Sequence, residues 1–425
     1  MNYRKFLLDK INKKKAIIGI IGLGYVGLPL ANLFSKKNFS VIGFDKDKSK
    51  IINLNKGSSY INHIKNTDIK KSKKNFTPTS DFSKINKVDV IILCLPTPVN
   101  KNKTPNLSSI KKTLHKIKSY LKSGQILILE SSTYPGSTRE IINNFLEKRK
   151  FTIGKNFFIG YSPEREDPNN NKFNIENIPK LCSGVSIICR NITINLYKKI
   201  VKKTVPVSTI ETAEFTKVFE NTYRSVNIAL VNEMKLLARK KNLNINEIIN
   251  AASTKPFGFE PFQPGPGVGG HCIPVDPYYL SWVAKKNNLE SNFVDLAGKV
   301  NDEMPKWIIN ESLKNKKIRS ALIVGVAYKK NIDDIRESPS LDFIDLLLKK
   351  NIKVSYHDPF IKKLNIEKNI KLSSVNLKNI KKFDIVYIIT DHDCIDYKKI
   401  KNNAKLIIDT RNVFKKEIKN KIIKL

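Results

Sequence analysis

The sequence predicts an α/β fold in which two parallel sheets are joined by a long helix. Short β-branched runs alternate with Lys-rich segments of helical pattern, and this alternation indicates βαβ units with parallel strands. The strand-like runs fall in the first and last thirds of the chain, with a long helical pattern between them. The predicted strands are residues 16–21, 40–44, 88–95 and 126–130 in the first third, and 321–326, 353–356, 384–389 and 405–409 in the last.

The two sets of strands look like weak copies of each other. AIIGIIGLGYVG corresponds to ALIVGVAYKK, VIGFD to VSYHD, VDVIILCLPTP to FDIVYIITDH, and ILILESST to LIIDTRN. In each set the strands end at polar clusters, which is where ligands bind in open α/β sheets. We therefore expect two domains of nucleotide-binding type, although any two α/β domains resemble each other at this level of detail.

Residues 209–241, between the two sets, have the pattern of one long helix. Its apolar positions are too numerous for a surface helix, so we expect it to be buried and to connect the domains. A long central helix of this kind often also forms the core of a dimer. The Pro- and Gly-rich segment 256–277 is not expected to form regular structure. The apolar positions of the helix are Phe215, Val218, Phe219, Val226, Ile228, Val231, Met234 and Leu237.

The formal net charge of +39 suggests a nucleic-acid partner at first sight. However, the lysines are spread along the whole chain among many Ile and Asn residues, and no compact Arg-rich arm or aromatic–basic motif occurs. A general compositional preference for Lys, Ile and Asn explains the charge better, so we expect no nucleic-acid function. The charge would still attract an anionic substrate.

The cysteines and the N-terminal apolar run indicate the compartment. Five cysteines without regular spacing predict neither a disulfide framework nor a zinc site, and they fit a reducing compartment. His63, His115, His357 and His392 stand in no metal-ligand spacing, so no metal is expected. Four glycines and a proline interrupt the apolar run 16–33, which argues against a membrane span. We expect a soluble cytoplasmic protein of two or three domains, since 425 residues exceed one core.

The motif GLGYVG at residues 22–27 has the GxGxxG spacing, and it follows a predicted strand and begins a predicted helix. Such glycines permit a tight turn, close approach of a pyrophosphate and packing of helix on sheet, while the helix N-terminus offers N–H groups to phosphate. The next strand ends at Asp45, where a carboxylate accepts hydrogen bonds from the adenosine ribose. This combination predicts dinucleotide binding. Asp45 would repel a 2′-phosphate and favours NAD over NADP, although Lys46, Lys48 and Lys50 soften that preference.

The loop GPGVGGHCIPVDP at residues 265–277 places a thiol, Cys272, beside His271 and four residues before Asp276. Glycines let the backbone approach a ligand closely, and a thiolate is a strong nucleophile near neutral pH. The loop is therefore suited to present a reactive sulfur to a bound molecule. An inert cysteine in a buried loop explains the residue alone equally well.

Lys217 and Asn221 stand four residues apart on the predicted central helix and so share one face. An ammonium and an amide that both donate hydrogen bonds would hold an oxyanion. Solvated polar residues on a partly exposed helix face explain the spacing equally well.

Three further polar clusters are candidates for the site. Thr97 and residues 130–133 lie at the ends of strands of the first set, where their hydroxyls would line the nicotinamide side of a cofactor crevice or serve as ordinary loop hydroxyls. The segment SPEREDP at 162–168 is either a solvated loop or the source of a carboxylate base for a water. Lys329, and Arg336 within segment 333–339, would meet phosphate oxygens.

Together these motifs resemble the UDP-glucose/GDP-mannose dehydrogenase family over almost the whole chain, from Ile17 to about Asp409. The resemblance rests on GLGYVGLPLA, LPTP, SSTYPGST, SPEREDP, the Lys217/Asn221 helix, GGHCIPVDP and GVAYKKNIDDIRESP, in that order. It implies two Rossmann-like domains joined by a long central helix, in a homodimer or higher homo-oligomer. It also implies oxidation of C6 of a nucleotide sugar from alcohol to carboxylate with two NAD, for cell-surface polysaccharide biosynthesis. The implied domains are residues 1–205, which bind NAD, 206–305, which carry the cysteine loop and the dimer contact, and 306–425, which bind the UDP-sugar.

The resemblance also implies a role for each matching residue. Cys272 is the implied nucleophile, and Asp276 assists proton transfer. Lys217 and Asn221 hold the oxyanion and the water near C6, while Glu164 and Thr133 position or activate water. The implied NAD contacts are Gly22, Gly24, Tyr25, Val26, Gly27, Asp45, Lys50, Thr97, Thr133, Val275 and Arg336, and the implied substrate contacts are Glu164, Lys217, Asn221, Gly269 and Lys329.

Within the family, YSPEREDP, STKPFGFEPFQPGPGVGGHCIPVDPYYL and His271 before the cysteine are most similar to enzymes that act on UDP-N-acetylhexosamines. The loop lacks an arginine that many UDP-glucose enzymes have there, so the glucose contacts are not expected to carry over. UDP-GlcNAc is the first choice of substrate, ahead of UDP-GalNAc, UDP-ManNAc and UDP-glucose. A two-electron dehydrogenase of the hydroxy-acid type is the alternative, since it shares GxGxxG and a helical middle and needs no nucleophilic cysteine.

Overall fold

The structure is a computed structural model that describes residues 2–62, 64–149, 151–167, 170, 172–366 and 370–425. His63 and Pro168 lie outside the described residues. The chain forms two compact units: one comprises the chain up to Glu220 together with Tyr278–Leu289, and the other comprises Asn221–Pro277 and Glu290–Leu425. This division into two compact units does not test the three domains predicted from the motifs, and those domains remain a prediction.

The described part of the first unit contains an eight-stranded sheet. Its strand order is β3-β2-β1-β4-β5-β6-β7-β8, and the strands are parallel from β3 to β6. Every residue of β1, β4, β5 and β6 is buried, as expected for a parallel sheet covered on both faces. The strands are β1 Ile18–Ile21, β2 Val41–Phe44, β3 Phe76–Thr79, β4 Val90–Leu93, β5 Ile126–Leu129, β6 Phe158–Tyr161, β7 Lys180–Gly184 and β8 Thr204–Pro206.

The last two strands of this sheet run in the opposite direction. β7 pairs antiparallel with β6, and β8 pairs parallel with β7. The described residues between β6 and β7 form no crossover helix, which a parallel connection would need. The direction of β7 matters for the site, because it brings the start of β7 to the edge where β4, β5 and β6 end.

The second unit contains a five-stranded parallel sheet of order β10-β9-β13-β14-β15 and a hairpin, β11-β12. Alternate residues of β9 face two separate apolar cores, Ala321 and Ile323 one of them, Leu322 and Val324 the other. The sheet is therefore covered on both faces. The strands are β9 Ser320–Val324, β10 Lys353–His357, β11 Lys363–Ile366, β12 Ile370–Ser373, β13 Ile385–Ile388, β14 Ile407–Asp409 and β15 Ile422–Lys424.

The helices complete both βαβ arrangements, and the predicted mixed α/β fold with two large sheets is confirmed. No helix in the described part of the chain is long and apolar enough to cross a membrane. The helices are α1 Tyr3–Asn12, α2 Gly27–Lys36, α3 Lys48–Lys56, α4 Asn66–Ser72, α5 Ser108–Ile117, α6 Asn144–Glu147, α7 Ile187–Tyr197, α8 Ile210–Lys240, α9 Ile245–Ala252, α10 Asp276–Lys286, α11 Asn292–Leu313, α12 Pro339–Lys349 and α13 Tyr397–Asn403.

The long central helix exists as predicted, but the expectation that it is buried is wrong for one face. Six large apolar side chains of α8, three to seven residues apart, are 37 to 58% exposed in the single chain. A high apolar content shows that a helix has an apolar face to bury. It does not show whether the surface that buries this face belongs to the same chain. The exposed stripe of α8 consists of Phe215, Phe219, Tyr223, Leu230, Met234 and Leu237.

Candidate active site

The three glycines of GLGYVG have three different surroundings. A Cβ at Gly22 would clash with the carbonyl oxygen of Cys94, and one at Gly27 would clash with that of Gly22. A Cβ at Gly24 would meet nothing within 4 Å. Gly22 also has φ +95°, a backbone conformation that favours glycine. The outer glycines therefore let turn, strand and helix pack together, while Gly24 borders open space that a ligand could enter.

The Asp45 carboxylate lies beside this turn and is only partly occupied by hydrogen bonds. Leu23 N donates to Oδ2 at 3.0 Å, Lys50 Nζ donates to Oδ2 at 3.1 Å, and Asp47 N donates to Oδ1 at 3.0 Å. Because a carboxylate accepts about four hydrogen bonds, one position remains for a ribose hydroxyl. Lys50, a predicted NAD contact, is held by Asp45 instead of standing clear to meet a 2′-phosphate.

The N-terminus of α2 follows the same turn, and its N-cap residue Val26 makes no side-chain capping bond. Backbone N–H groups at such an end, together with the helix dipole, favour a phosphate. Gly22, Gly24, Tyr25, Val26, Gly27 and Asp45 thus lie around one turn, and the residues present fit the pyrophosphate and adenosine ribose of a dinucleotide.

The loops after β4 and β5 are tied to each other through the predicted hydroxyls. Ser131 Oγ accepts from Leu95 N at 2.9 Å and donates to Leu95 O at 2.7 Å, and Thr97 Oγ1 donates to Ser132 O at 2.7 Å. These bonds support the ordinary-loop explanation for Thr97 and Ser131. Thr133 differs, because it is fully buried and its Oγ1 has no hydrogen-bond partner within the described ranges.

A buried cluster of two carboxyl groups and one ammonium lies at the edge where β5 and β6 end. Lys180 Nζ donates to Glu130 Oε2 at 2.6 Å and to Glu164 Oε2 at 2.8 Å. Although burial raises the pKa of Glu164, the Lys180 ammonium and the N–H groups of Arg165 and Glu166 hold it below its ordinary value. Glu164 is thus not part of a solvated loop, since it is fixed on three sides. Sequence reasoning missed Lys180, which has nothing in the sequence to distinguish it from the other lysines.

Another residue that sequence reasoning missed fixes the loop that carries Thr133. The buried Glu214 carboxylate, on α8, accepts hydrogen bonds from Gly136 N, Ser137 Oγ, Thr138 N and Thr138 Oγ1 at 2.5 to 3.0 Å. Burial raises the pKa of Glu214 despite these four donors. The acid in AEFTK, three residues before Lys217, was the available signal, but nothing local indicated its partners.

Lys217 and Asn221 are both buried on α8, so the explanation as an exposed, solvated helix face is wrong. In the second unit, Asn221 Nδ2 donates to Asp276 Oδ2 at 2.5 Å, and Arg224 Nη2 donates to Asn221 Oδ1. The structure therefore brings together two predicted site residues that are 55 positions apart. Within the described residues no group hydrogen-bonds the Lys217 ammonium, so this buried cation is well suited to an anionic or polar ligand.

The cysteine loop in the second unit runs into the first turn of α10. Cys272 O accepts from Val275 N at 3.1 Å and from Asp276 N at 2.7 Å. Cys272 is partly exposed, whereas Cys182 and Cys189 are buried, and burial raises the pKa of both of those thiols. An inert core cysteine is therefore a poor description of Cys272.

The same loop packs against the segment that carries the predicted phosphate contacts. Gly270 N donates to Arg336 O at 3.0 Å, and a Cβ at Gly269 would approach Tyr328 Cβ to 2.7 Å. Arg336 itself is half exposed and pairs with Asp334, Nη2 to Oδ2 at 2.5 Å. Gly269, Val275, Lys329 and Arg336 are thus placed on one pair of adjoining segments in the second unit. Among the described residues, no group of three or more His, Cys, Asp or Glu side chains could hold a metal ion.

Three sequence models of one family match consecutive parts of the chain. They describe the NAD binding domain, the central domain and the UDP binding domain of the UDP-glucose/GDP-mannose dehydrogenase family, and they match residues 16–201, 211–303 and 322–416.

Curated relatives and a solved structure match nearly as widely. A UDP-N-acetyl-D-glucosamine 6-dehydrogenase of Pseudomonas aeruginosa is 34% identical and covers 81% of this chain and 83% of its own. A UDP-N-acetyl-D-mannosamine dehydrogenase of Methanococcus vannielii is 32% identical and covers 96% of this chain and 95% of its own. The structure of a UDP-D-ManNAc dehydrogenase from Pyrococcus horikoshii has a TM-score of 0.86 and 29% identity, and the match covers 95% of this chain and 97% of the other.

Proposed function

This chain belongs to the UDP-glucose/GDP-mannose dehydrogenase family and is an NAD-dependent oxidoreductase, and on that premise we propose that it oxidises C6 of a UDP-N-acetylhexosamine to the uronic acid. UDP-GlcNAc is our first choice of substrate, and UDP-ManNAc and UDP-GalNAc follow. The observation that supports this class best is the near-equal identity to relatives named for N-acetylglucosamine and for N-acetylmannosamine, 34 and 32%. The product would feed the synthesis of a cell-surface polysaccharide.

We propose that Cys272 carries the substrate between two oxidations. When bound, NAD supplies the hydride acceptor for both of them. The Cys272 thiolate adds to C6 of the aldehyde left by the first, and the resulting thiohemiacetal oxyanion is held by Lys217 and Asn221. The second oxidation leaves a thioester. Water then bonds to C6, the C6–Sγ bond breaks, and the cysteine leaves as thiolate.

The burial of the donors supports this role. Lys217 is a buried ammonium without a partner in the described chain, and an oxyanion would satisfy it. Asn221 has one N–H on Asp276 and a second to offer. Asp276, whose carboxylate is fixed by Asn221, would assist the proton transfers, while Thr133 and Glu164 would position the water for hydrolysis.

The experiment is to measure NADH and sugar product with a panel of UDP-sugars. We expect two NADH per uronic acid and the highest kcat/KM with UDP-GlcNAc. Cys272→Ser should lower overall turnover on the order of 10³-fold or more, since it removes the covalent carrier, while Cys394→Ser, at an exposed cysteine, should not change it. One NADH per turnover with an unaffected Cys272→Ser variant would establish the two-electron alternative instead.

We propose that the protein acts as a homodimer through the exposed stripe of α8. A single helix face that leaves six large apolar side chains uncovered is unusual for a monomer, and a second copy would cover an identical face. Phe219→Glu with Leu230→Glu should convert the dimer to monomer in analytical ultracentrifugation. Ile187→Glu is the control, because Ile187 is 69% exposed outside the stripe and should leave the mass unchanged. A monomeric wild-type protein would rule this assembly out.

A further inference from the structure

Strand direction explains why Glu130, Glu164 and Lys180 meet. Glu130 follows β5 and Glu164 follows β6, and these strands are parallel, so both acids lie at the carboxyl edge of the sheet. β7 is antiparallel to β6, so its first residue, Lys180, lies at that same edge. Backbone pairing of Lys180 with Lys203 on the β8 side holds the start of β7 in place. The three groups therefore meet through register and not through local sequence.

The cluster is almost closed to solvent. The Lys180 side chain is 3% exposed, Glu130 is 0% exposed and Glu164 is 10% exposed. The Tyr197 hydroxyl donates to Glu130 Oε1, and the Lys180 ammonium lies 5.4 Å from the centre of the Tyr197 ring. Glu164 Oε1 accepts from Arg165 N at 2.7 Å and from Glu166 N at 2.8 Å. Of the two acids, only Glu164 retains contact with solvent.

One ammonium between two buried carboxylates decides which of them is ionised. Two buried acids so close together cannot both hold a negative charge easily without a cation. Burial raises the pKa of Glu130 to about 7, and burial together with the Glu164 charge raises that of the neighbouring Glu166 to about 7. At Glu164, in contrast, Lys180 and the backbone donors outweigh burial and lower the pKa. Burial lowers the pKa of Lys180, but the two carboxylates more than offset it, so the ammonium keeps its charge.

We propose that Lys180 is a positioning residue that holds Glu164 ionised and fixed toward the water of the hydrolysis step, and that leaves any shared proton on the neighbouring acids Glu130 and Glu166. A base must be unprotonated before it can take a proton from water, and it must be held in one place. Lys180 supplies both conditions without touching the substrate. The inference rests on the proposed role of Glu164 in hydrolysis, and it extends that role to a residue 16 positions away.

The test is the pH profile of kcat for Lys180→Met, with Lys203→Met as the matched control. Lys203 pairs with Lys180 through its backbone while its own side chain is exposed. Without the ammonium, Glu164 should protonate at higher pH, so the loss of kcat on acidification should begin at least about 1 pH unit higher. The KM for both substrates should stay within about 3-fold, since no binding group is lost. Lys180→Arg should restore the wild-type profile, and Lys203→Met should match it throughout.

A second variant answers the case in which Lys180→Met does not fold. Lys180→Met combined with Glu130→Gln removes one buried charge of each sign, so it avoids an uncompensated carboxylate at Glu130. Glu164 still loses its cation, so the acidic limb should again move to higher pH, by less than in Lys180→Met because Glu130→Gln also removes a neighbouring acid. A merely structural role for Lys180 would lower the amount of folded enzyme and would leave the position of the acidic limb unchanged. An unshifted limb in these variants overturns the proposal.

A direct titration separates this inference from the proposed function. ¹³C NMR of protein labelled at the glutamate carboxyl carbons, with Glu164→Gln for assignment, follows Glu164 in wild type and in the variants. A rise of the Glu164 pKa without Lys180 supports the inference, whatever the enzyme oxidises, and an unchanged pKa rejects it. Absence of NADH production with every UDP-N-acetylhexosamine would instead reject the proposed function, and the NMR result would still decide the role of Lys180 in ionisation.

Discussion

The turn after β1 in the first sheet and the turn after β9 in the second have the same backbone conformation. They differ in whether a ligand could reach them. Gly22 after β1 has φ +95°, and Gly325 after β9 has φ +80°. Each of these glycines has its N–H bonded to the end of the neighbouring strand, at Phe44 O and at His357 O. A Cβ on either glycine would clash with the carbonyl oxygen that follows the next strand of the sheet, at Cys94 or at Thr390.

The acids that follow the second strand of each sheet show where the designs diverge. Asp45 accepts three hydrogen bonds, and the turn beside it leaves open space at Gly24. Asp358 accepts five: Val326 N, Ala327 N and His392 Nε2 donate to Oδ2, and Phe360 N and Ile361 N donate to Oδ1. Asp358 therefore has no place left for a ribose.

The histidine in the second sheet completes this closure. Asn331 N donates to His392 Nδ1 at 2.9 Å, so Nε2 carries the proton that is donated to Asp358. Both side chains are fully buried. Where the first turn has Gly24, the second has Ala327, which is also buried. The same strand and turn thus leave open space beside the acid in one sheet and are closed by hydrogen bonds in the other, so fold alone does not locate a nucleotide site.

The largest expected effect comes from Asp358→Asn, which disrupts the hydrogen bonds that close the turn of the second sheet. The substitution removes a buried charge that five donors surround, which should cost about 3–5 kcal/mol in the free energy of unfolding of the second unit. Trp307 lies against the core of that unit, so its fluorescence in a Trp282→Phe background reports urea unfolding there. Asp393→Asn, at an exposed surface ion pair, is the control and should cost less than about 1 kcal/mol. Equal midpoints for both variants would show that Asp358 does not hold the turn closed.

The closure at Asp358 also predicts a pH dependence. Although burial raises the pKa of Asp358, its bond to His392 and the backbone donors bring the pKa below the ordinary value. Its contribution to stability is then complete above the unfolded pKa, near 3.9, and is lost as the pH falls through the lower folded value. The stability difference between wild type and Asp358→Asn should therefore shrink as the pH falls below about 4, which urea unfolding at a series of pH values would show.

A smaller effect is expected at the open turn, with Gly24→Val. The new side chain would enter the space that a pyrophosphate needs, so NAD affinity should fall about 100-fold, which corresponds to roughly 2.7 kcal/mol. Because a Cβ there meets nothing within 4 Å, the unfolding midpoint should stay unchanged. Gly325→Ala should behave in the reverse way, with lower stability from the clash at Thr390 and unchanged NAD affinity among the molecules that remain folded. Calorimetric titration with NAD and urea unfolding separate the two results.

The contrast between the turns also explains what the sequence could reveal. GLGYVG and Asp45 were found because the motif is local and its spacing is fixed by the fold. The copy VSYHD was found in the same way, but its closure by His392, 34 residues further on, depends on the register of β13. The ion pair between Glu130 and Lys180 could not be predicted for a similar reason. It depends on the direction of β7, and nothing in the sequence between residues 162 and 179 indicates that this strand is antiparallel to β6.

The central helix shows a second limit of the sequence. The alternation of apolar residues located α8 within one residue at each end, since periodicity depends on the chain's own geometry. Whether the helix is buried depends on which surface packs against it. The apolar pattern from Phe215 to Leu237 is the same whether that surface belongs to the same chain or to a second copy. The pair Asn221 and Asp276, in contrast, was assigned from motifs, and the fold now gives it a hydrogen bond.

The smallest expected effect concerns the choice between NAD and NADP. It tests whether the Asp45 carboxylate, which has room for a ribose hydroxyl and binds the Lys50 ammonium, sets that choice. Asp45→Asn removes the negative charge that would repel a 2′-phosphate and weakens the hold on the Lys50 ammonium. The preference for NAD over NADP should then fall about 10-fold, roughly 1.4 kcal/mol, through better NADP binding and not through loss of NAD binding alone. Asp47→Asn is the matched control, because that carboxylate is exposed and caps α3 through Ser49 N. The measurement is the ratio of kcat/KM for NAD to kcat/KM for NADP. If both variants kept the wild-type ratio, residues outside the turn would determine the choice of cofactor. Asp45 would then differ from Asp358 only in being accessible to a ligand.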